Sequence, residues 1–179
     1  SRATSAQTGG SINFEMTKAA ELEQLLESLA GNAWASNVLK MGGTVVDTYT
    51  IERALAVGSM YRRFVGSRIG SLDLTIQPEQ FISGAFGIVG SAEASATAAI
   101  AGSTYAAAAT AAKLTSLDTL AVTATGIAGT FDYAQLSLKI DNNLSPSKRL
   151  GGTPTRKVRA GQCVVTGELQ LFVEDNAWN

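Results

Sequence analysis

Most protein chemistry near neutral pH begins with histidine, and this chain has none. Its absence removes every His-based nucleophile triad, the usual catalytic zinc sites and the commonest general base. The single cysteine, Cys163, has no partner within the chain for a disulfide, so nothing here demands an oxidising compartment. Cys163 opens an alternating run in which Val165 and Leu169 fall on its own side, and no cationic neighbour in sequence is placed to make it a thiolate. A buried, inert thiol is the expectation. No GxxxxGK[ST] loop, no strand-following GxGxxG, no GxSxG elbow and no CxxC occurs. The carboxylates do not fall at calcium-loop spacing. Glu52 and Asp47 could share a sheet face with an arginine, which reads as a surface ion pair of ~0–1 kcal/mol before it reads as an acid–base pair. Asn143-Leu144-Ser145 matches the glycosylation sequon by pattern alone. We therefore expect no catalytic residue, no metal and no cofactor.

Charge carries more information. The chain of 179 residues holds 14 Lys and Arg against 15 Asp and Glu. Charged residues are 16% of the whole, below the ~25% usual in soluble domains. A near-neutral balance excludes a strongly basic nucleic-acid grip and an acidic tail, and it leaves self-association open. The balance is uneven along the chain: residues 1–47 sum to −2, 48–70 to +3, 71–138 to −4 and 139–179 to +2. Two readings stand, ordinary surface variation and a basic face that docks on an acidic face of another copy. The segment 145–161 concentrates Lys148, Arg149, Arg156, Lys157 and Arg159 among Pro146, Gly151, Gly152, Pro154 and Gly161, and it reads as a basic loop. It has no aromatic residue on which to stack bases, so a single-strand nucleic-acid platform is disfavoured.

The elements that would position these residues are mostly strands. Ile12, Phe14 and Met16 alternate with Asn13, Glu15 and Thr17, a period of two. Thr17 then stands as an N-cap, and Leu22, Leu25, Leu26 and Leu29 form one stripe of a helix over about residues 18–30, with Gly31 as its stop. Strands are expected at Val38–Leu39, 44–53, 61–69, 71–77, 81–89, 120–125, 135–141 and 163–174. Of the 23 residues in 91–113, 12 are alanine; with little there to fill a core, the segment reads as an exposed excursion, with a short helix as the alternative. The fold class is mainly β, an antiparallel β-sandwich or barrel with one flanking α-helix. A chain this long buries roughly 70% of its extended surface, enough for a single domain over 1–179. No uncharged apolar run reaches the ~20 residues of a membrane span.

Several segments in order resemble the tail tube proteins of long-tailed, siphovirus-type bacteriophages. They are Ser11-Ile12-Asn13-Phe14-Glu15 before a Leu-rich helix, Thr50-Ile51-Glu52-Arg53, and Leu74-Thr75-Ile76-Gln77-Pro78-Glu79 leading into Ser83-Gly84-Ala85-Phe86-Gly87. Next come Leu138-Lys139-Ile140-Asp141-Asn142-Asn143-Leu144 and the run from Val165 to Asp175. The Ala-rich segment 91–113 stands outside the likeness. The resemblance implies a β-sandwich or barrel with a flanking helix, copies that form six-fold rings, and rings that stack into a hollow tube carrying DNA from capsid to host. It implies a structural role in the virion tail, manufacture in the host cytoplasm, and partners that are the chain itself, tail tip or terminator proteins and the tape-measure protein. DNA is then transient cargo, and no membrane is involved. Family members are often longer, so the start at Ser1 and the finish at Asn179 lead us to expect a processed chain or a fragment.

DNA must slide through such a bore, and phosphate-binding cations on its wall would hinder it. A neutral to acidic lumen is therefore expected, with Asp73, Thr75 and Gln77 as lining candidates. Strand edges would pair between subunits to close the ring, while Arg62, Arg63, Arg156 and Arg159 are candidates for subunit interfaces. Three other readings compete: a ring protein of a related secretion or contractile injection system, a monomeric carbohydrate- or surface-binding β-sandwich with a basic recognition loop, and an enzyme.

Overall fold

The computed structural model describes residues 8–17, 20–55, 59–105, 110–118, 131–149 and 152–173, with side chains throughout except at 131–132, 148–149, 152–156 and 173. The elements in chain order are β1 (Thr8–Glu15), α1 (Ala20–Ala30), β2 (Tyr49–Leu55), β3 (Met60–Ile76), β4 (Ser83–Gly90), β5 (Ala92–Ala96), a 3-10 turn (Ser116–Asp118), β6 (Phe131–Asp141), β7 (Ser145–Arg149), β8 (Gly152–Arg159) and β9 (Val164–Val173). Every pairing of these strands is antiparallel. The fold is mainly β with one α-helix among the described residues, as the alternation and the single Leu-rich stripe require.

β3 is the spine. Its C-terminal half sits third in a sheet ordered β1-β4-β3-β6-β9. Its N-terminal half pairs with β2 on one side and β5 on the other, making a three-stranded arm. The 61–69 and 71–77 runs are therefore one strand of 17 residues. The two apolar alternations fall out of phase because the register shifts between Ile69 and Ser71, where Gly70 supplies a bulge. Gly66, at φ 61°, lies in the left-handed region where the strand passes from arm to main sheet.

α1 lies across one face of the main sheet. Its leucine stripe meets Ile69, Leu72 and Phe86, with Phe14, Ile88, Ile140 and Tyr49 packed around them. Phe86 is fully enclosed and its ring stacks on Phe14 at 4.8 Å between centroids. Gly31 ends the helix as the sequence predicts: its φ is 69°, and its N–H donates to the Glu27 carbonyl at 2.8 Å. A Cβ there would lie 2.7 Å from the Gly43 carbonyl oxygen. Asn142, just past β6, donates from Nδ2 to the Leu29 carbonyl at 2.6 Å and ties the helix end to the sheet.

Four expectations differ from what is found. The 145–161 segment is not a loop: β7 and β8 form a hairpin, so Pro146 and Pro154 sit in a ribbon that is two-stranded among the described residues, where a missing donor is tolerated. Val38–Leu39 is not a strand but one side of a tight turn. Ser36 and Asn37 both have positive φ, and Ala35 and Val38 exchange backbone bonds across them. The 44–53 strand begins only at Tyr49, since Gly43 and Val45 donate instead to Ala30 and Gly31 at the helix end. Within the Ala-rich segment, Ala92–Ala96 is a strand on the arm; small side chains suit a position where packing comes from β3. The expected strand at 120–125 lies outside the described residues.

Candidate assembly surfaces

Residues directly opposite each other in an antiparallel pair share a face, so the register defines what the main sheet turns away from α1. Asn13 and Glu15 oppose Ala85 and Ser83. Asp73 and Thr75 oppose the same two residues from the other side and meet Lys139 and Ser137. Ser137 and Lys139 then meet Glu168 and Thr166 on β9. The result is a continuous five-strand face of small and polar side chains, with Ala85 its only apolar member in these rows. A sheet face that closes a core would carry leucine and valine here, so this face is built for water.

Its charge leans acidic. Glu15, Asp73 and Glu168 stand against Lys139. Lys139 Nζ lies 3.7 Å from Asp73 Oδ1, with both side chains more than half exposed. Glu15 pairs with Lys113, whose ammonium also sits 5.2 Å over the Phe81 ring. The sequence-predicted Asp73 and Thr75 thus fall together on the polar face. Gln77 lies just past the end of β3 and donates from Nε2 to Gln135 Oε1 at 3.0 Å. Asn13, Glu15, Ser137, Lys139 and Glu168 belong to the same face. The period-two alternation around each of them carried that signal; the strand order needed to align it did not exist in the sequence.

Among the described residues the sheet ends in two strands with one neighbour each, β1 and β9. Ile12 on β1 is 37% exposed, and Val165, Leu169 and Phe172 on β9 are 53%, 39% and 68% exposed. Apolar edge strands of this kind recruit further strands.

The arm holds two of the candidate arginines, each already engaged. Arg62 Nη1 bonds Glu93 Oε1 at 2.9 Å. Arg63 Nε bonds Glu52 Oε2 at 2.6 Å, and its Nη2 donates to the Ala98 carbonyl at 2.6 Å. Glu52, whose side chain is 6% exposed, also accepts from the Ile100 N–H at 3.2 Å and from the Tyr105 hydroxyl. Burial pushes the Glu52 carboxyl up, but the bonds from Tyr105, Arg63 and Ile100 together outweigh it and hold it below the usual carboxylate range. The Tyr105 hydroxyl is shifted the other way, chiefly because it donates to that carboxylate. This knot straps residues 98–105 onto the arm. Alternation gave Glu52 a face shared with an arginine, and Arg63 stands directly opposite it in the β2–β3 register; Ile100 and Tyr105 come from loop geometry.

The hairpin holds the other two candidates. Val158 is 4% exposed, and its carbonyl accepts from Arg68 Nη1 at 2.9 Å. Burial lowers the Arg68 pKa, but a guanidinium keeps its proton regardless. Lys157 and Arg159 are exposed. Arg156 is in the β8 backbone, and its side chain lies outside the described residues. Cys163 is half-buried, beside Val158 and Arg159 in a depression at the foot of the hairpin. Among the described residues no three His, Cys, Asp or Glu side chains group to hold a metal, and no helix is long and apolar enough to cross a membrane.

Among the described residues the sheet has a water-facing side and an unpaired strand edge at either end, and a family model described as phage tail tube protein matches residues 1–179. The chain belongs to that family. No curated protein matches it. A tail tube protein is a structural component of the virion tail, built by self-assembly into a tube. The Arg62 and Arg63 pairs tie β3 of this tail tube protein to Glu93 and Glu52 within the arm.

Proposed function

We propose that this tail tube subunit closes into six-membered rings by pairing β9 of one copy with β1 of the next. The rings stack into the hollow conduit of a long, siphovirus-type tail, and DNA passes through it into the host. The supporting observation is the polar, acid-leaning face that runs unbroken from β1 to β9 and, among the described residues, ends in an unpaired strand edge at either side. Edge pairing between copies continues that face around a closed circle and covers the exposed edge residues. A wall of short side chains with excess negative charge repels phosphate, so DNA slides rather than sticks. Asp73 and Thr75 line the bore, and Gln77 stands at its rim. The role asks for no catalytic group and no cofactor. The chain is made in the host cytoplasm, meets terminator, tip and tape-measure proteins at the tube's ends and interior, and holds DNA only in transit.

Light scattering with negative-stain microscopy on the purified chain tests this. Annular particles and tubes with a stain-filled centre are expected. A solitary monomer at every concentration, with or without a tail-tip initiator, overturns it.

A further inference from the structure

The two ends of the main sheet carry opposite charge. β1 finishes at Glu15 where β4 begins at Ser83 and β3 is closing, and α1 starts from this end. Glu21 and Glu23 in its first turn are exposed, as is Glu79 in the turn after β3. Among the described residues the cation at this end, Lys113, is already paired with Glu15. The helix then runs about 16 Å to the opposite end, where Asn142 holds Leu29 and the β7–β8 hairpin projects beside it. The hairpin contains Lys148, Arg149, Arg156, Lys157 and Arg159 and no acidic residue. Lys40 and Asp47, in the segment after α1, offset one another, and Asp141 at the end of β6 accepts from the Asn143 N–H at 2.7 Å, so the exposed Lys157 and Arg159 leave this end net positive among the described residues. Among the described residues none of Glu21, Glu23, Glu79, Lys157 or Arg159 forms an ion pair. The two groups stand more than a Debye length apart within one copy, ~8–10 Å in physiological salt, so they do not neutralise each other.

Resting on the tube reading above, we propose that these ends are the two halves of the stacking contact: the Glu21, Glu23 and Glu79 end of one copy docks on the Lys157 and Arg159 hairpin of a copy in the next ring. Unlike the edge-to-edge contact that closes a ring, a contact between unlike surfaces at the two ends of a copy adds ring upon ring along one axis without closing, and so propagates as a filament. It also fixes direction, because a ring turned over would set acid against acid or base against base. Arg62 and Arg63 stay out of this contact, since Glu93 and Glu52 already hold them.

Charge reversal on the full chain tests it. Lys157→Glu with Arg159→Glu, and separately Glu21→Lys with Glu23→Lys, should each leave rings intact by microscopy. Sedimentable tube should fall about tenfold or more, as expected when like charges face each other across a contact. The fourfold variant combining both pairs should recover it. Circular dichroism checks folding, and Glu21→Gln with Glu23→Gln is the milder substitute should the reversed helix unfold; it should shorten tubes in the same direction. Variant tubes as abundant and as long as wild type under every one of these changes overturn the stacking contact and leave the tube reading standing. Folded, ring-forming double variants that the fourfold chain fails to rescue also overturn it. A wild type that makes no ring overturns both.

Discussion

Asp73→Lys reverses the charge at the middle of the polar sheet face while touching nothing that holds the fold. Asp73 and Lys139 are 3.7 Å apart, with side chains 55% and 57% exposed. An ion pair so open to solvent contributes ~0–1 kcal/mol, so the variant should fold and close rings, with stability lowered by no more than about 1 kcal/mol. The effect inside a ring is far larger. About six new lysines then stand beside about six copies of Lys139, and each phosphate they neutralise steepens the salt dependence of DNA binding by roughly 0.9 in log–log slope. Engaging about six phosphates gives a slope near −5, a loss of about a thousandfold in affinity between roughly 50 and 200 mM salt.

The assay is co-sedimentation of fluorescent duplex DNA with preassembled tubes across that salt range. Genome delivery by particles carrying the variant serves as a second readout. Wild-type tubes should bind little DNA at any salt. Asp73→Lys tubes should retain it at low salt, release it steeply as salt rises, and deliver genomes poorly. Normal tubes that gain no DNA affinity would refute the reasoning, because Asp73 would then face away from the bore.

Further predictions concern the parts that hold this face in place. Phe86→Ala empties a fully enclosed site and unstacks Phe14; a cost of about 3–5 kcal/mol should appear as a melting midpoint lowered by about 10 °C. Gly31→Ala forces a side chain into left-handed backbone against the Gly43 carbonyl, and a urea midpoint reduced by the equivalent of about 1–2 kcal/mol is expected. Glu52→Gln removes the charge that gathers Arg63, Tyr105 and Ile100, so amide exchange at 98–105 should speed up while exchange in β4 stays slow. Because the folded Glu52 pKa is depressed, its contribution is complete above the ordinary glutamate value, about 4.3, and is lost as pH falls through the lower folded value. Protection of the Ile100 amide in the wild type should therefore hold from neutrality to about pH 5 and vanish only in stronger acid.

Local pattern carried much of this fold. The Leu22, Leu25, Leu26 and Leu29 stripe and the Gly31 stop placed α1, described from Ala20, and placed its end at Ala30 without error, because periodicity and a left-handed glycine are properties of a few adjacent residues. Ile12–Phe14, Leu72–Ile76 and Leu136–Ile140 announced strands for the same reason. What hid from the sequence needed partners. The unity of β3 was masked by the bulge at Gly70, which shifts the alternation by one. The β7–β8 hairpin was masked by its prolines and glycines, whose turn signals are real but serve a ribbon. Ala92–Ala96 lacks any bulky residue and becomes a strand only because β3 offers it an edge. Asp73 and Thr75 were found on the polar face from alternation alone. The Glu52 knot was not, since Tyr105 and Ile100 reach it across about 50 residues of chain that no local rule connects.

A reconstruction of the assembled tube, at a resolution that traces strands, should show β9 of each copy hydrogen-bonded to β1 of the next, Asp73 and Thr75 on the bore, and α1 on the outer side of the sheet. A tube in which α1 lines the channel, or in which β1 and β9 face solvent unpaired, would contradict that arrangement.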